Sequence, residues 1–171
     1  MQRLALAALA ALATFPCCAQ TNSDTARLGG ANGWDAFAYS EKGTKVCYLV
    51  GTPQTSEPKG LTRGRIDAYV THRPGDKTLN VVHFDVGYAL KPGSNAELQV
   101  DGRKFTLFTD KDAAWANDPA EDKAVTLALD HGKRAILKGS SARGANTADT
   151  YMLDGFKDAL AAIDQACGVK R

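Results

Sequence analysis

The residues of this chain that are able to do chemistry are few and scattered. His72, His83 and His131 lie far apart, and none stands at a metal-ligand spacing from Cys, Asp or Glu. No metal site and no cofactor is expected. The richest polar stretch runs from Lys138 to Thr150, where the hydroxyls of Ser140 and Ser141, the glycines and the guanidinium of Arg143 suit a pocket for an anion, and the same residues with Asp149 suit a loop that docks a ligand or partner. It lacks the Gly-x4-Gly-Lys-Ser/Thr order of a phosphate-cradling loop. Neither serine has a local base that would make it a nucleophile, so a polar turn is the plainer reading of the same residues. No catalytic residue is assigned.

Cysteine chemistry is better defined. The chain opens with Arg3, an apolar run from Leu4 to Ala13, and small residues at Cys17 and Ala19, the pattern of a secretory signal peptide over residues 1–19. Export to the periplasm or the medium is the expectation. Acylation of Cys17 or Cys18 is the weaker alternative, because Thr14-Phe15-Pro16 is a poor match to the small-residue box that precedes a lipidated cysteine. Cleavage after Ala19 leaves Cys47 and Cys167 in an oxidising compartment, where two thiols pair. A redox-active role is disfavoured, since the two do not form a Cys-x-x-Cys motif.

The mature chain of about 150 residues suits one domain. Losing Arg3 leaves 20 Lys+Arg against 19 Asp+Glu, with both signs interspersed. That balance gives no support to nucleic acid or an anionic membrane as partner. No later stretch approaches the roughly 20 apolar residues of a membrane-spanning helix. Residues 20–32 read as a polar, Gly-rich leader, and residues 33–171 as the domain.

The elements that must position these groups are short strands. Trp34–Tyr39 and Lys45–Val50 form a hairpin, followed by a Pro-containing exposed loop over Gly51–Gly60 that is a candidate contact surface. A three-residue Pro74-Gly75-Asp76 turn pairs Arg65 with Asp85, Asp67 with His83 and Tyr69 with Val81, and gathers Ile66, Ala68, Val70, Val82, Phe84 and Val86 on one apolar face. In that register His83 belongs to a surface ion pair rather than an acid/base site. Asp101-Gly102 is a two-residue turn that sets Val100 against Arg103 and Leu98 against Phe105. Ala124–Leu129 and Arg134–Lys138 read as a further hairpin around His131-Gly132, although the first segment is equally able to begin as helix. The last stretch, Asp154–Cys167, is the clearest helix: Phe156, Leu160, Ile163 and Cys167 share one face, with Asp154 as expected N-cap and Gly168 as stop.

Several of these residues carry a resemblance. Lys138-Gly-Ser-Ser-Ala-Arg-Gly144, Asp149-Thr-Tyr-Met-Leu-Asp-Gly-Phe156, Ala159–Ile163 and the terminal Cys167, with Gly33-Trp34, Val46-Cys-Tyr48 and Leu98–Gly102 before them, resemble the invasion-associated locus B family. The resemblance implies a secreted, β-rich bacterial envelope protein, associated by name with host-cell invasion and with no catalytic residues to transfer. The expected fold is mainly β, an antiparallel sandwich or flattened barrel of about eight strands with one C-terminal helix packed on it. The expected function is a non-enzymatic interaction module whose partner is an envelope or host protein. The alternative is a small periplasmic hydrolase, or an inhibitor of a cell-wall hydrolase, that uses the Lys138–Asp149 loop.

Overall fold

A computed structural model describes residues 25–171. The signal-peptide reading and the alternative lipidation of Cys17 or Cys18 fall outside the described residues. The chain forms β1 (Ala26–Ala31), β2 (Trp34–Glu41), β3 (Thr44–Gly51), β4 (Thr55–Glu57), β5 (Asp67–Arg73), β6 (Thr78–Asp85), β7 (Asn95–Val100), β8 (Arg103–Asp110), β9 (Ala113–Trp115), α1 (Pro119–His131), β10 (Arg134–Ser140), β11 (Asn146–Met152) and α2 (Phe156–Cys167). The strands make one antiparallel sheet in the order β1-β2-β3-β5-β6-β9-β8-β7-β10-β11-β4. Among the described residues β1 and β4 are its two edges, so the sheet is not closed into a barrel.

The mainly antiparallel β class expected from sequence holds, with eleven strands in place of about eight and two helices in place of one. Three short strands account for most of the added number. Ala26–Ala31, within the expected leader, pairs with β2, and Thr55–Glu57, within the expected loop, pairs with β11. Ala113–Trp115 bridges β6 and β8. Among the described residues no helix is long and apolar enough to cross a membrane.

Ala124–Leu129 is helix, and its cap explains why. Asp118 accepts from the amides of Ala120 and Glu121 at 2.8 Å each, Pro119 takes the first turn, and Glu121 reaches back to the Asn117 amide at 2.8 Å. Val125 and Leu129 then fall on one buried stripe with Asp122 and Thr126. Because β9 is only three residues long, the β6 amide of Val82 lies beyond its end. The Asp122 carboxylate accepts that amide at 2.8 Å.

The hairpin β5-β6 shows how faces survive an error in register. Its loop holds four residues, Pro74–Lys77, where three were expected, and Asn80, at φ 60°, marks a bulge beyond it. Each change shifts the pairing by one residue. Together they give Tyr69↔His83 and Asp67↔Asp85, two residues from the expected register and on the same faces. Ala68, Val70, Val82, Phe84 and Val86 are accordingly buried.

The sheet curls so that Trp34 of β2 and Phe84 of β6 meet Tyr151 of β11 across the core, with ring centroids 6.2 and 5.8 Å apart. Trp34 lies against Gly51, where any Cβ would collide with the indole, and donates from Nε1 to the Met152 carbonyl at 2.7 Å. Helix α2 buries Phe156, Ala159, Leu160 and Ile163 on β1, β2, β3 and β5. Its N-cap is Gly155 at φ 94°, with no side-chain cap, so Asp154 does not take the role its type suggested. Gly155 approaches the Ala31 carbonyl too closely for a Cβ, and this contact sets where the helix starts. At the other end Cys167 is bonded to Cys47 of β3. Beside the bridge the buried His72 accepts the Asn80 amide at Nδ1 (3.0 Å), leaving its Nε2–H to donate to Asp164 of α2 (2.9 Å).

Candidate functional site

The outer face of the sheet carries a row of aromatic rings. Antiparallel partners share a face, so the pairings Phe37↔Tyr48, Tyr69↔His83 and His83↔Trp115 line these side chains up across β2, β3, β5, β6 and β9. The rings stand on edge in two stacks. In one, Phe37 and Tyr48 are 5.3 Å apart at 21°; in the other, Tyr69 and His83 are 4.5 Å apart at 6°, and His83 and Trp115 are 4.3 Å apart at 16°. Between Tyr48 and Tyr69 the separation opens to 6.4 Å with a 41° tilt.

That opening is a groove of about 680 Å³. Two short side chains make its floor: Val50 sits opposite Tyr69, and Thr71 sits opposite Tyr48. Polar groups ring it. Arg65 is paired with Asp67, Arg73 with Glu41, and Arg27 with Asp35 at 2.5 Å. Asp67 is 1% exposed and accepts the Tyr69 hydroxyl at Oδ2 (3.3 Å), whereas its Oδ1 has no partner among the described residues. Burial, helped by the Asp67 charge, pushes Tyr69 up to about 12, so the phenol keeps its proton.

His83 is the clearest departure from the sequence expectation. It is not in a surface ion pair with Asp67. It is clamped between Tyr69 and Trp115, its Nδ1 is buried without a partner, and burial brings its pKa down to about 4. The unfolded imidazole takes its proton near the ordinary value of 6.5 and the folded one only near 4, so stability is full above pH 6.5 and drains as pH falls between these values. His83→Phe keeps the stack without the titration. Urea unfolding at pH 7.5 and 4.5 is expected to show a loss in the wild type larger by on the order of 2 kcal/mol than in His83→Phe; equal losses would rule this origin out. Asp122 works in the opposite sense. Burial raises it to about 6, so its contribution declines as pH rises from about 4 to 6, and Asp122→Asn is expected to remove that decline in the same measurement.

The loop residues singled out from sequence do not form one constellation. Ser140 donates its hydroxyl to Asn146 Oδ1 at 2.7 Å, and Ser141 Oγ accepts the Ala145 amide at 3.0 Å, both inside the β10-β11 turn. Ser141 and Arg143 do line a smaller cavity of about 330 Å³ with Leu61 and Tyr88. Asp149 lies elsewhere, fully buried and held by Arg63 through two bonds of 2.7 and 2.6 Å. Arg63 itself is buried and also donates to the Val86 carbonyl, so this pair ties the segment before β5 to β6 and β11.

The groove residues Phe37, Tyr39, Tyr48 and Tyr69, and Trp115 at the end of the aromatic row, carried no motif. Alternation of aromatic residues on the outward positions of β2 was the local signal, and it gained meaning only when five strands were set side by side.

The family model described as Invasion associated locus B (IalB) protein matches residues 34–164, from the first core tryptophan to the last turn of α2. No curated protein and no solved structure matches the chain. The matched span contains the groove strands, α1, most of α2 and the Arg63–Asp149 pair, and covers most of the chain, which therefore belongs to the invasion-associated locus B family.

Proposed function

We propose that this protein is an exported, non-enzymatic binding module of the cell envelope, and that the groove between Tyr48 and Tyr69 is its ligand surface. The observation that carries this reading is a concave, ring-walled site holding a buried carboxylate oxygen that no group among the described residues satisfies. The leader sequence and the Cys47–Cys167 bridge favour an oxidising location, the periplasm or the exterior. The family's name links its members with host-cell invasion, and attachment to an envelope or host surface is the step such a groove would serve.

The hydrolase or inhibitor reading draws on the Lys138–Asp149 loop. It is weakened by the engagement of both serines within their own turn and of Asp149 with Arg63. In-cell cross-linking with full-length protein, wild type beside a Tyr48→Ala/Tyr69→Ala variant, tests the choice. Saturable capture of a macromolecule by the wild type, lost in the folded variant, is expected. Capture that ignores the groove, or turnover of wall fragments abolished by Arg143→Ala, would overturn the proposal.

A further inference from the structure

Resting on the groove as ligand surface, its polar pattern selects among extended ligands. Each cation at the rim has an acidic partner: Arg27 with Asp35, Arg65 with Asp67, and Arg73 with Glu41. A polyanion therefore meets no surplus of positive charge. A peptide that adds as a strand needs a free sheet edge, and the walls of this groove come from interior strands, β3 and β5. A proline-rich peptide suits walls of aromatic rings, but its proline nitrogens carry no hydrogen.

Donors are what the site asks for, because Asp67 Oδ1 accepts only, and in a proline-rich peptide they fall to the residues between the prolines alone, whereas a glycan offers one at nearly every carbon. Asp67 Oδ1 is buried, has no partner among the described residues and belongs to a residue of the groove lining, while the Arg65 side chain paired with Oδ2 is 73% exposed. A ligand hydroxyl both donates and accepts. It satisfies Asp67 Oδ1 as donor and the guanidinium of Arg65 or the phenol of Tyr48 as acceptor, while apolar C–H groups settle over Val50 and against the ring edges. The carboxylate oxygen then gains the partner whose absence is otherwise a standing penalty.

We infer that the groove binds a neutral glycan chain, with Tyr48 and Tyr69 as its walls and Asp67 as the acceptor for a sugar hydroxyl.

The test uses the full-length processed protein on an array of neutral glycans printed beside sulfated glycans and proline-rich peptides, with titration calorimetry on whatever binds. Neutral glycans alone are expected to bind. Tyr69→Ala is expected to weaken binding about tenfold, the scale of an aromatic anchor removed from a contact surface. Should that variant fail to fold, Thr71→Trp, which fills the floor, is expected to block binding while leaving the walls in place. Silence from every neutral glycan, preference for sulfated glycans or peptides, or binding that survives Thr71→Trp would each overturn the inference. If groove-dependent capture in cells persists while the array stays silent, the glycan assignment alone falls. If capture does not depend on the groove, the binding reading falls with it.

Discussion

Removing the Cys47–Cys167 bridge, by Cys47→Ser with Cys167→Ser, is expected to destabilise the domain by about 4 to 5 kcal/mol, the chain-entropy value for so long a closed loop. The two cysteines are 120 residues apart in sequence. One is buried in β3 and the other ends α2, so the bridge confines nearly the whole unfolded chain while touching only two elements of the folded one. A single domain has roughly 5 to 15 kcal/mol in total, so the reduced protein should sit close to unfolding at physiological temperature. Urea denaturation with and without reductant measures this directly. The midpoint should fall and the slope should rise, because a released chain exposes more surface when it unfolds. An unchanged midpoint would mean that Phe156, Leu160 and Ile163, with the His72–Asp164 contact, hold the helix without help.

The second large effect belongs to Asp149. Asp149→Ala is expected to cost about 3 to 5 kcal/mol, because it leaves the Arg63 guanidinium buried with no counter-charge, held only by the Val86 carbonyl and the face of Tyr88. Arg63→Met combined with Asp149→Leu should recover much of that loss, since no uncompensated charge then remains in the interior. Thermal unfolding of the two single variants and the double variant measures the coupling as a double-mutant cycle. This result also bears on function. A catalytic carboxylate can be removed while the fold remains, whereas a buried ion-pair partner cannot, so an Asp149→Ala protein that melts normally and loses a turnover would contradict the structural role.

Residues whose information is local could be placed from sequence. Asp101-Gly102 specified its turn and the pairing Val100↔Arg103, and Cys47 and Cys167 form the bridge expected of them. The buried face of β5-β6 was also readable, because alternation along a strand has a period of two and the two unseen one-residue shifts add to two, which changes partners and keeps faces. Helix α1 was present in the sequence as Asp118, Pro119 and Glu121, a cap that outweighs the strand-like look of Ala124–Leu129. Local signals at Asp154 pointed to a side-chain cap. The close approach of Gly155 to Ala31, set by packing, placed the helix start one residue later.

His83 marks where that reasoning stops. Its neighbours in sequence suggest a charged surface pair, and the same face did carry it, but a shift of two residues replaced Asp67 with Tyr69 as its partner and turned an ion pair into a stack. Arg63 and Asp149, or Trp34 and Met152, have no relation that sequence spacing reveals. What the chain's own order determined was family, strand faces, the disulfide and the terminal helix, all consequences of residue type and short-range periodicity. Tertiary structure alone decided which strands became neighbours, and with them the groove, because rings from β2, β3, β5, β6 and β9 meet only after long connections close and each pairing settles in its exact register.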